Sequence, residues 1–206
     1  MANADPSPAH DAPLKLNEMA KLDDLRGEID ALDDALLALF ERRMGVAMRV
    51  ARLKGDDGLL KLRPRRESAI VARLAAKASI ATPALIAHVW RELMAHSRHS
   101  QAEMTVQLYA PNAAVALREA ARERFGRVTP IVAAGSPGEA LAAAAAGEVV
   151  ALIELDGAKW DLPEGVRLFG AVETADGRAV LAGRMAEADI PDEELAAIAA
   201  VLGAGT

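Results

Sequence analysis

One long apolar stripe constrains what this chain can fold into more than any other feature of its sequence. From Leu22 to Leu53 the apolar residues recur at steps of three and four, which is the spacing of one face of an α-helix. The stripe consists of Leu22, Leu25, Ile29, Leu32, Leu36, Leu39, Val46, Val50 and Leu53. A helix this long with such a seam needs partners, and Gly55 with the Asp-Asp-Gly at 56–58 is predicted to end it.

Two shorter helices are predicted after the long one. Pro64 begins the first of them, and its apolar face carries Ile70, Val71, Leu74 and Ala78. Thr82 and Pro83 are a start signal for the next, an N-cap followed by proline. Its stripe is Ile86, Trp90, Leu93, Ser97, Gln101 and Met104. Three helices of such unequal length close a core poorly alone, so we expect a homodimer whose long helices cross between chains.

After about Thr105 the pattern changes to alternating strands and helices. VQLYA and VVALIEL are predicted as buried strands, separated by helices at 112–125 and 137–146 and a strand near 128–133. LFGAVET and RAVLAGRM flank an Ala-Asp-Gly turn as a hairpin, and PDEELAAIAAVLG is predicted as a closing helix.

The predicted architecture is an N-terminal all-α three-helix domain followed by a small C-terminal α/β domain. We expect a disordered tail over residues 1–17, the helical domain over 18–105 and the α/β domain over 106–206.

Composition argues against several classes of site and partner. The 206 residues include no cysteine, and the four histidines form no HExxH-type pattern, so neither a metal site nor a cofactor is expected. A net charge of −6 disfavours nucleic acid as a partner. The first residues lack the apolar core of a signal peptide, and no run of 18 apolar residues is present to span a membrane. We therefore expect a cytoplasmic protein with no membrane partner.

Polar residues interrupt the apolar faces of all three predicted helices. Arg43 stands on the seam of the long helix, and Lys54 follows about three turns later on nearly the same side. Glu67 shares the apolar face of the second helix, and Ser97 and Gln101 occupy the seam of the third. Such groups need partners when buried. They could pair with one another, for example Arg43 with Glu67. Taken together, however, their excess of positive charge favours a small dicarboxylate held by arginine.

These helices resemble the all-helical class of chorismate mutases. The matching segments are LRGEIDALDDALLALFERR at 25–43, RLKG at 52–55, RPRRE at 63–67 and SRHSQ at 97–101. Their order and spacing across three helices carry the resemblance, because no single motif is specific. The resemblance implies a homodimeric isomerase that rearranges chorismate to prephenate, without a cofactor, in the shikimate pathway of aromatic amino-acid biosynthesis.

The resemblance assigns the reacting side of the site to four cationic or amide side chains. Arg26 matches the arginine that reaches into the partner's site to hold one substrate carboxylate, and Arg43 matches the arginine that holds the other. Lys54 matches the lysine that contacts a carboxylate and the ether oxygen, and Gln101 matches the glutamine that donates to that oxygen. Arg43, Lys54 and Gln101 are therefore the candidate catalytic residues.

The remaining matches are substrate-binding residues. Arg66 matches a supporting arginine, Glu67 the glutamate that accepts the ring hydroxyl, and Ser97 a serine near a carboxylate. Arg63 departs from the pattern, because many members carry an acidic residue there. Because of this departure, the resemblance does not decide which residues contact the ring hydroxyl.

The C-terminal half weakly resembles part of a prephenate dehydratase domain. VQLYAPNAAVALREAARERFG matches its opening strand and helix, and SPGEALAAAAAGEVVALIEL its following helix and strand. The Gly-rich GPxGTFS segment and the Thr-Arg-Phe triplet of that enzyme are missing. We interpret this half as a degenerate, non-catalytic domain that is either structural or ligand-sensing.

Two other functions fit the helical half. An isochorismate pyruvate-lyase on the same fold would use the same cations. A non-catalytic chorismate-binding regulator would use the helical domain only to present the second one. A unimolecular rearrangement of chorismate is the first choice, because it needs no nucleophile and no metal.

Overall fold

The computed structural model describes residues 16–54, 58–157 and 159–203. It divides into two compact units, Met1–Gly45 and Val46–Thr206. Most of the predicted tail over residues 1–17 lies outside the described residues, but its end is already helical, because the first helix begins at Leu16. The residues at 55–57 that were predicted to end this helix also lie outside the described part.

The predicted long helix is confirmed as α1, Leu16–Lys54, of 39 residues. Its residues up to Gly45 are the single described element of the first unit, and its residues from Val46 on belong to the second. Six apolar residues of its stripe in that unit are between 37% and 63% exposed, namely Leu22, Leu25, Ile29, Leu32, Leu36 and Leu39. Within this unit, therefore, no described element covers the stripe.

The two shorter helices are α2, Pro64–Ala75, and α3, Pro83–His99. The predicted start of α3 is confirmed, because the Thr82 hydroxyl accepts a hydrogen bond from the Leu85 amide at 3.2 Å and Pro83 follows it. The expectation that Ala78 lies on the face of α2 is wrong. The amides of Lys77 and Ala78 bond three residues back instead of four, so the helix tightens into a turn after Ala75 and leaves Ala78 exposed.

A five-stranded mixed sheet forms the centre of the α/β region. Its strands are β1 (Thr105–Tyr109), β2 (Ile131–Ala133), β3 (Val149–Glu154), β4 (Val166–Glu173) and β5 (Arg178–Arg184), in the order β2-β1-β3-β5-β4. The β2, β1 and β3 strands are parallel, and β5 pairs antiparallel with both β3 and β4. The predicted hairpin and the predicted α/β class are both confirmed.

The predicted helices of this region are α4 (Ala114–Phe125), α5 (Pro137–Ala146) and α6 (Asp192–Gly203). The strand predicted near 128–133 is shorter than expected. Pro130 has no amide hydrogen to donate to the ladder, and β2 begins at the next residue, Ile131.

Apolar clusters cover both faces of the sheet. Val150 and Leu152 of β3 lie in one cluster, while Ala151 and Ile153 lie in the other, because successive side chains of a strand point to opposite faces. The helix α4 contributes Leu117, Ala121 and Phe125 to the first cluster, and α5 contributes Ala140, Leu141 and Ala144 to the second.

The segment before α2 belongs to the same core as the sheet. Leu60 and Leu62 are buried in the first cluster, and the Leu60 amide donates to the Arg184 carbonyl of β5 at 2.8 Å. Arg65 of α2 donates from Nε to the Ala188 carbonyl at 3.0 Å. The compact units consequently divide at Gly45 and not near residue 105. The predicted domain limits of 18–105 and 106–206 stay a sequence-based prediction.

Candidate active site

The seven predicted site residues fall in both units. Arg26 and Arg43 lie in the first unit, and Lys54, Arg66, Glu67, Ser97 and Gln101 lie in the second.

Arg26 and Arg43 are far apart along the same helix. Their positions differ by seventeen residues, which corresponds to about 25 Å along the helix axis. Such a separation is too long for both guanidinium groups of one chain to hold the two carboxylates of one small molecule. Arg26 is exposed and pairs with Asp23, one turn earlier, at 3.0 Å, while Arg43 is half-buried.

Lys54 is the last residue of α1, and its side chain lies outside the part of the chain that the structure describes. Arg66 is exposed on α2. It is adjacent to Glu67, and consecutive helical residues do not face each other, so the two side chains leave the helix in different directions.

Glu67 forms a short ion pair with Arg98 of α3. Nη1 of Arg98 lies 2.6 Å from Oε1 of Glu67, and only 20% of the glutamate side chain is exposed. Sequence reasoning missed Arg98, although one signal was present. Arg98 follows Met94 by four residues, and Met94 follows Trp90 by four. Residues at this spacing share one helix face, so the sequence places a cation on the same face as two apolar residues.

Ser97 and Gln101 are brought together at the end of α3. Ser97 is buried, and its hydroxyl donates to the Leu93 carbonyl at 2.7 Å. The Nε2 of Gln101 donates to the Ser97 carbonyl at 2.7 Å. The expectation that Gln101 lies on the third helix is wrong, because α3 ends at His99 and the Gln101 backbone amide bonds three residues back, to Arg98. The side-chain amide that was assigned to the ether oxygen is thus bonded to the last turn of α3, and it must turn to reach a substrate.

The departure at Arg63 has a structural explanation. Arg63 is the residue before α2; its Nη1 donates to the Leu62 carbonyl at 3.0 Å, and its Nε lies 3.2 Å from Oδ2 of Asp189. Asp189 belongs to the short 3-10 turn before α6. An acidic residue in place of Arg63 would lose this ion pair and repel Asp189.

A cavity of about 490 Å³ lies between α2, α3, α4, β4 and α6. Glu67, Met94 and Phe125 are among its lining residues. Its charged lining residues are Glu67, Glu123, Glu173, Glu194, Arg91 and Arg124. Carboxylates outnumber guanidinium groups, and Arg124 is already paired with Glu194 at 2.6 Å. This cavity therefore does not suit a dicarboxylate.

Within residues 16–54, 58–157 and 159–203, no helix is long and apolar enough to cross a membrane. No three His, Asp or Glu side chains of these residues group as metal ligands.

Comparison with known proteins finds a family similar to the helical region. Residues 25–102 match the model of the family described as chorismate mutase type II. The chain is also similar to the T-protein of Haemophilus influenzae, at 38% identity over 81 residues, which is 38% of this chain and 22% of that protein. It is similar to the 4-amino-4-deoxychorismate mutase of Streptomyces venezuelae, at 38% identity over 60 residues, which is 29% of this chain and 58% of that protein.

The chain thus spans about a fifth of the first relative and less than two thirds of the second. No solved structure matches it significantly. All seven site residues predicted from sequence lie within the matched segment. Residues 25–102 are therefore similar to the chorismate mutase type II family.

Proposed function

We propose that the protein is a chorismate mutase, an isomerase that rearranges chorismate to prephenate in aromatic amino-acid biosynthesis. The observation that carries the proposal is the family match over residues 25–102. The similarity to a protein named 4-amino-4-deoxychorismate mutase and the polar interruptions of the three helices support it. A cytoplasmic location is part of the proposal and rests on the biosynthetic role.

The proposed reaction is a unimolecular rearrangement in which one C–O bond breaks while one C–C bond forms. Arg43 holds one carboxylate and Arg26 of a second copy holds the other, so that the reacting carbons are brought close, and Ser97 is assigned to a carboxylate as well. Lys54 and Gln101 stabilise the negative charge that grows on the ether oxygen. Arg66 supports the site. No nucleophile, metal or cofactor takes part in these steps.

Glu67 is assigned to the other end of the substrate. Its carboxylate accepts a hydrogen bond from the ring hydroxyl and so fixes the orientation of the ring. Because Glu67 lies on α2 and Ser97 on α3, the relative placement of these helices sets the distance between the hydroxyl and carboxylate ends of the site.

A homodimer completes this proposal. The apolar stripe of α1 is exposed over Leu22–Leu39, and a second copy of the same helix has the matching pattern to cover it. Arg26 and Arg43 are too far apart to serve one site in one chain, so a partner that supplies Arg26 resolves the geometry.

Product analysis tests the proposed activity. The full chain is incubated with chorismate and, separately, with isochorismate. We expect prephenate from the first and no pyruvate from the second. Release of pyruvate from isochorismate would support the lyase alternative, and tight chorismate binding without turnover would support the regulator.

A second candidate substrate is 4-amino-4-deoxychorismate, because a relative at 38% identity is named for that reaction. By its name, this compound carries an amino group where chorismate carries the ring hydroxyl. Glu67 is the assigned contact of that position. Rates measured with both compounds decide between the two candidates, and we expect chorismate to be the better substrate.

We further propose that residues 106–206 have no prephenate dehydratase activity. The proposal rests on the missing Gly-rich and Thr-Arg-Phe signatures. Phenylpyruvate formed from added prephenate above the uncatalysed rate would contradict it.

A further inference from the structure

Arg98 is the most deeply buried cationic side chain among the residues that the structure describes. It is 6% exposed, and the other buried polar or charged residues there are Ser97, Thr129 and Glu154. Arg98 lies in the last turn of α3, between the site residues Ser97 and Gln101 in sequence. None of the roles proposed above uses it.

The guanidinium of Arg98 connects two helices to α3. Nη1 meets Oε1 of Glu67 on α2 at 2.6 Å, and Nη2 donates to the Phe125 carbonyl at the end of α4 at 3.2 Å. A helix C-terminus carries partial negative charge, so both contacts favour a cation. Nε has no hydrogen-bond partner within the described ranges.

Packing alone does not account for an arginine here. Removing a guanidinium from water costs several kcal/mol, and an apolar residue of similar volume often replaces a buried ion pair without loss of stability. The pairing with Glu67 has a more specific consequence. It places a full positive charge next to the carboxylate of Glu67, which is the group assigned to contact the ring substituent of the substrate.

We propose that Arg98 is a positioning and specificity-determining residue, which holds Glu67 in place and makes the site prefer a ring hydroxyl over a ring ammonium group. The inference rests on the proposed function. Arg98 occupies Oε1 of Glu67 and leaves Oε2 to accept the hydroxyl. The Phe125 carbonyl fixes the guanidinium from the other side, so α4 of the α/β region supports the substrate contact.

The preference follows from charge. An aliphatic amine is protonated near neutral pH, since such groups titrate at about pH 10. An ammonium group at Oε2 would lie near both the carboxylate and the guanidinium, and the attraction of the first would be cancelled largely by the repulsion of the second. A hydroxyl is neutral and suffers no such repulsion. Without Arg98, Glu67 would be an unneutralised carboxylate that favours the ammonium form.

The test is the ratio of two kcat/KM values, for 4-amino-4-deoxychorismate and for chorismate, measured with the full chain. A ratio is informative because partial unfolding lowers both rates equally. We expect Arg98→Met to raise the ratio by about tenfold or more, because the neighbouring positive charge is lost. Arg98→Lys keeps that charge, and its ratio should stay within about threefold of the parent.

Arg73→Met is the matched control. It removes an exposed guanidinium from α2 that does not line the cavity beside Glu67, and the ratio should not change. If Arg98→Met does not fold, Arg98→Gln carries the same prediction, since glutamine is neutral and can still donate to Glu67.

An unchanged ratio in the neutral variants, or an equal shift in Arg98→Lys, would overturn the inference while leaving the mutase activity intact. A parent protein that turns over neither compound would instead refute the proposed function, and the inference with it.

Discussion

Arg43 is the residue on which the proposed carboxylate site depends most. It is half-buried on α1, at a seam position where a purely structural helix would carry an apolar residue. We predict that Arg43→Ala lowers kcat/KM for chorismate by at least about a hundredfold, because a substrate carboxylate is left unpaired in a dry site.

The neighbouring Arg42 provides the control for this measurement, since it is exposed and leaves the helix about 100° away from Arg43. Arg42→Ala should leave the kinetics unchanged. If Arg43→Ala loses less than about tenfold, which is roughly 1.4 kcal/mol, the assignment of Arg43 to the site is wrong.

Tyr109 gives a second residue-level prediction, independent of the function. Its hydroxyl donates to Oδ2 of Asp156 at 2.9 Å, and this hydrogen bond raises the pKa of Tyr109 above its ordinary value of 10.0. The bond stabilises the neutral phenol, and the carboxylate repels the phenolate, so ionisation needs a higher pH. Asp156→Asn should lower the pKa of Tyr109 toward about 10.

The chain has a single tyrosine, so an ultraviolet absorbance titration reports Tyr109 alone. Asp161→Asn, at an exposed position, should leave the midpoint unchanged. Equal midpoints in the parent and Asp156→Asn would show that the contact is absent in solution.

At the scale of elements, the start of α3 is the most sharply specified boundary, and it positions Ser97 and Arg98. The Thr82 hydroxyl satisfies the Leu85 amide, which has no partner inside the helix. Thr82→Ala should therefore cost about 1 kcal/mol of unfolding free energy. Urea unfolding measures this free energy. Ser79→Ala, at an exposed position before α3, is the control, and it should leave the unfolding free energy nearly unchanged. Equal losses would argue against the cap.

The elements were predictable wherever the local sequence alone decides them. The α5 helix begins as expected at Pro137. The hydroxyl of Ser136, its N-cap, accepts from the Glu139 amide at 3.1 Å, while the Glu139 carboxylate accepts from the Gly135 amide at 2.6 Å. The five strands and the hairpin followed from apolar runs and turn residues. The end of α2 was missed, because Ala78 continues the apolar spacing and nothing in its identity signals a turn.

Part of the candidate site was also predictable. Glu67 and Ser97 were expected to be inward-facing, and both are largely buried. The pairing of Glu67 with Arg98 was not foreseen, because the partner depends on how α2 packs against α3 and α4. A sequence shows which face a residue occupies but not which helix lies opposite.

The same limit applies to the whole molecule. The predicted change near residue 105, from helical spacing to strands and helices in alternation, is confirmed. Leu60 and Leu62 nevertheless pack into the core of the sheet, and α2 and α3 belong to the same compact unit as the α/β region. The sequence at 59–62 does not predict that these residues pack against the sheet, because the segment is too short to show a periodic pattern.

The exposed stripe of α1 predicts the oligomeric state. Light scattering of the full chain should give twice the chain mass of 21.6 kDa. Leu32→Asp places a charge in the middle of the stripe and should shift the protein toward monomer, whereas Asp34→Asn, on the opposite side of the helix, should not. A folded, active monomer would contradict both the dimer and the role of Arg26.

The most direct test of the central claim is the stoichiometry of chorismate conversion by the full chain, with products separated and identified over time. The account predicts that each chorismate lost appears as one prephenate, without added metal or cofactor, and that Arg43→Ala all but abolishes this conversion. Chorismate that binds but persists, or a product other than prephenate, would contradict it.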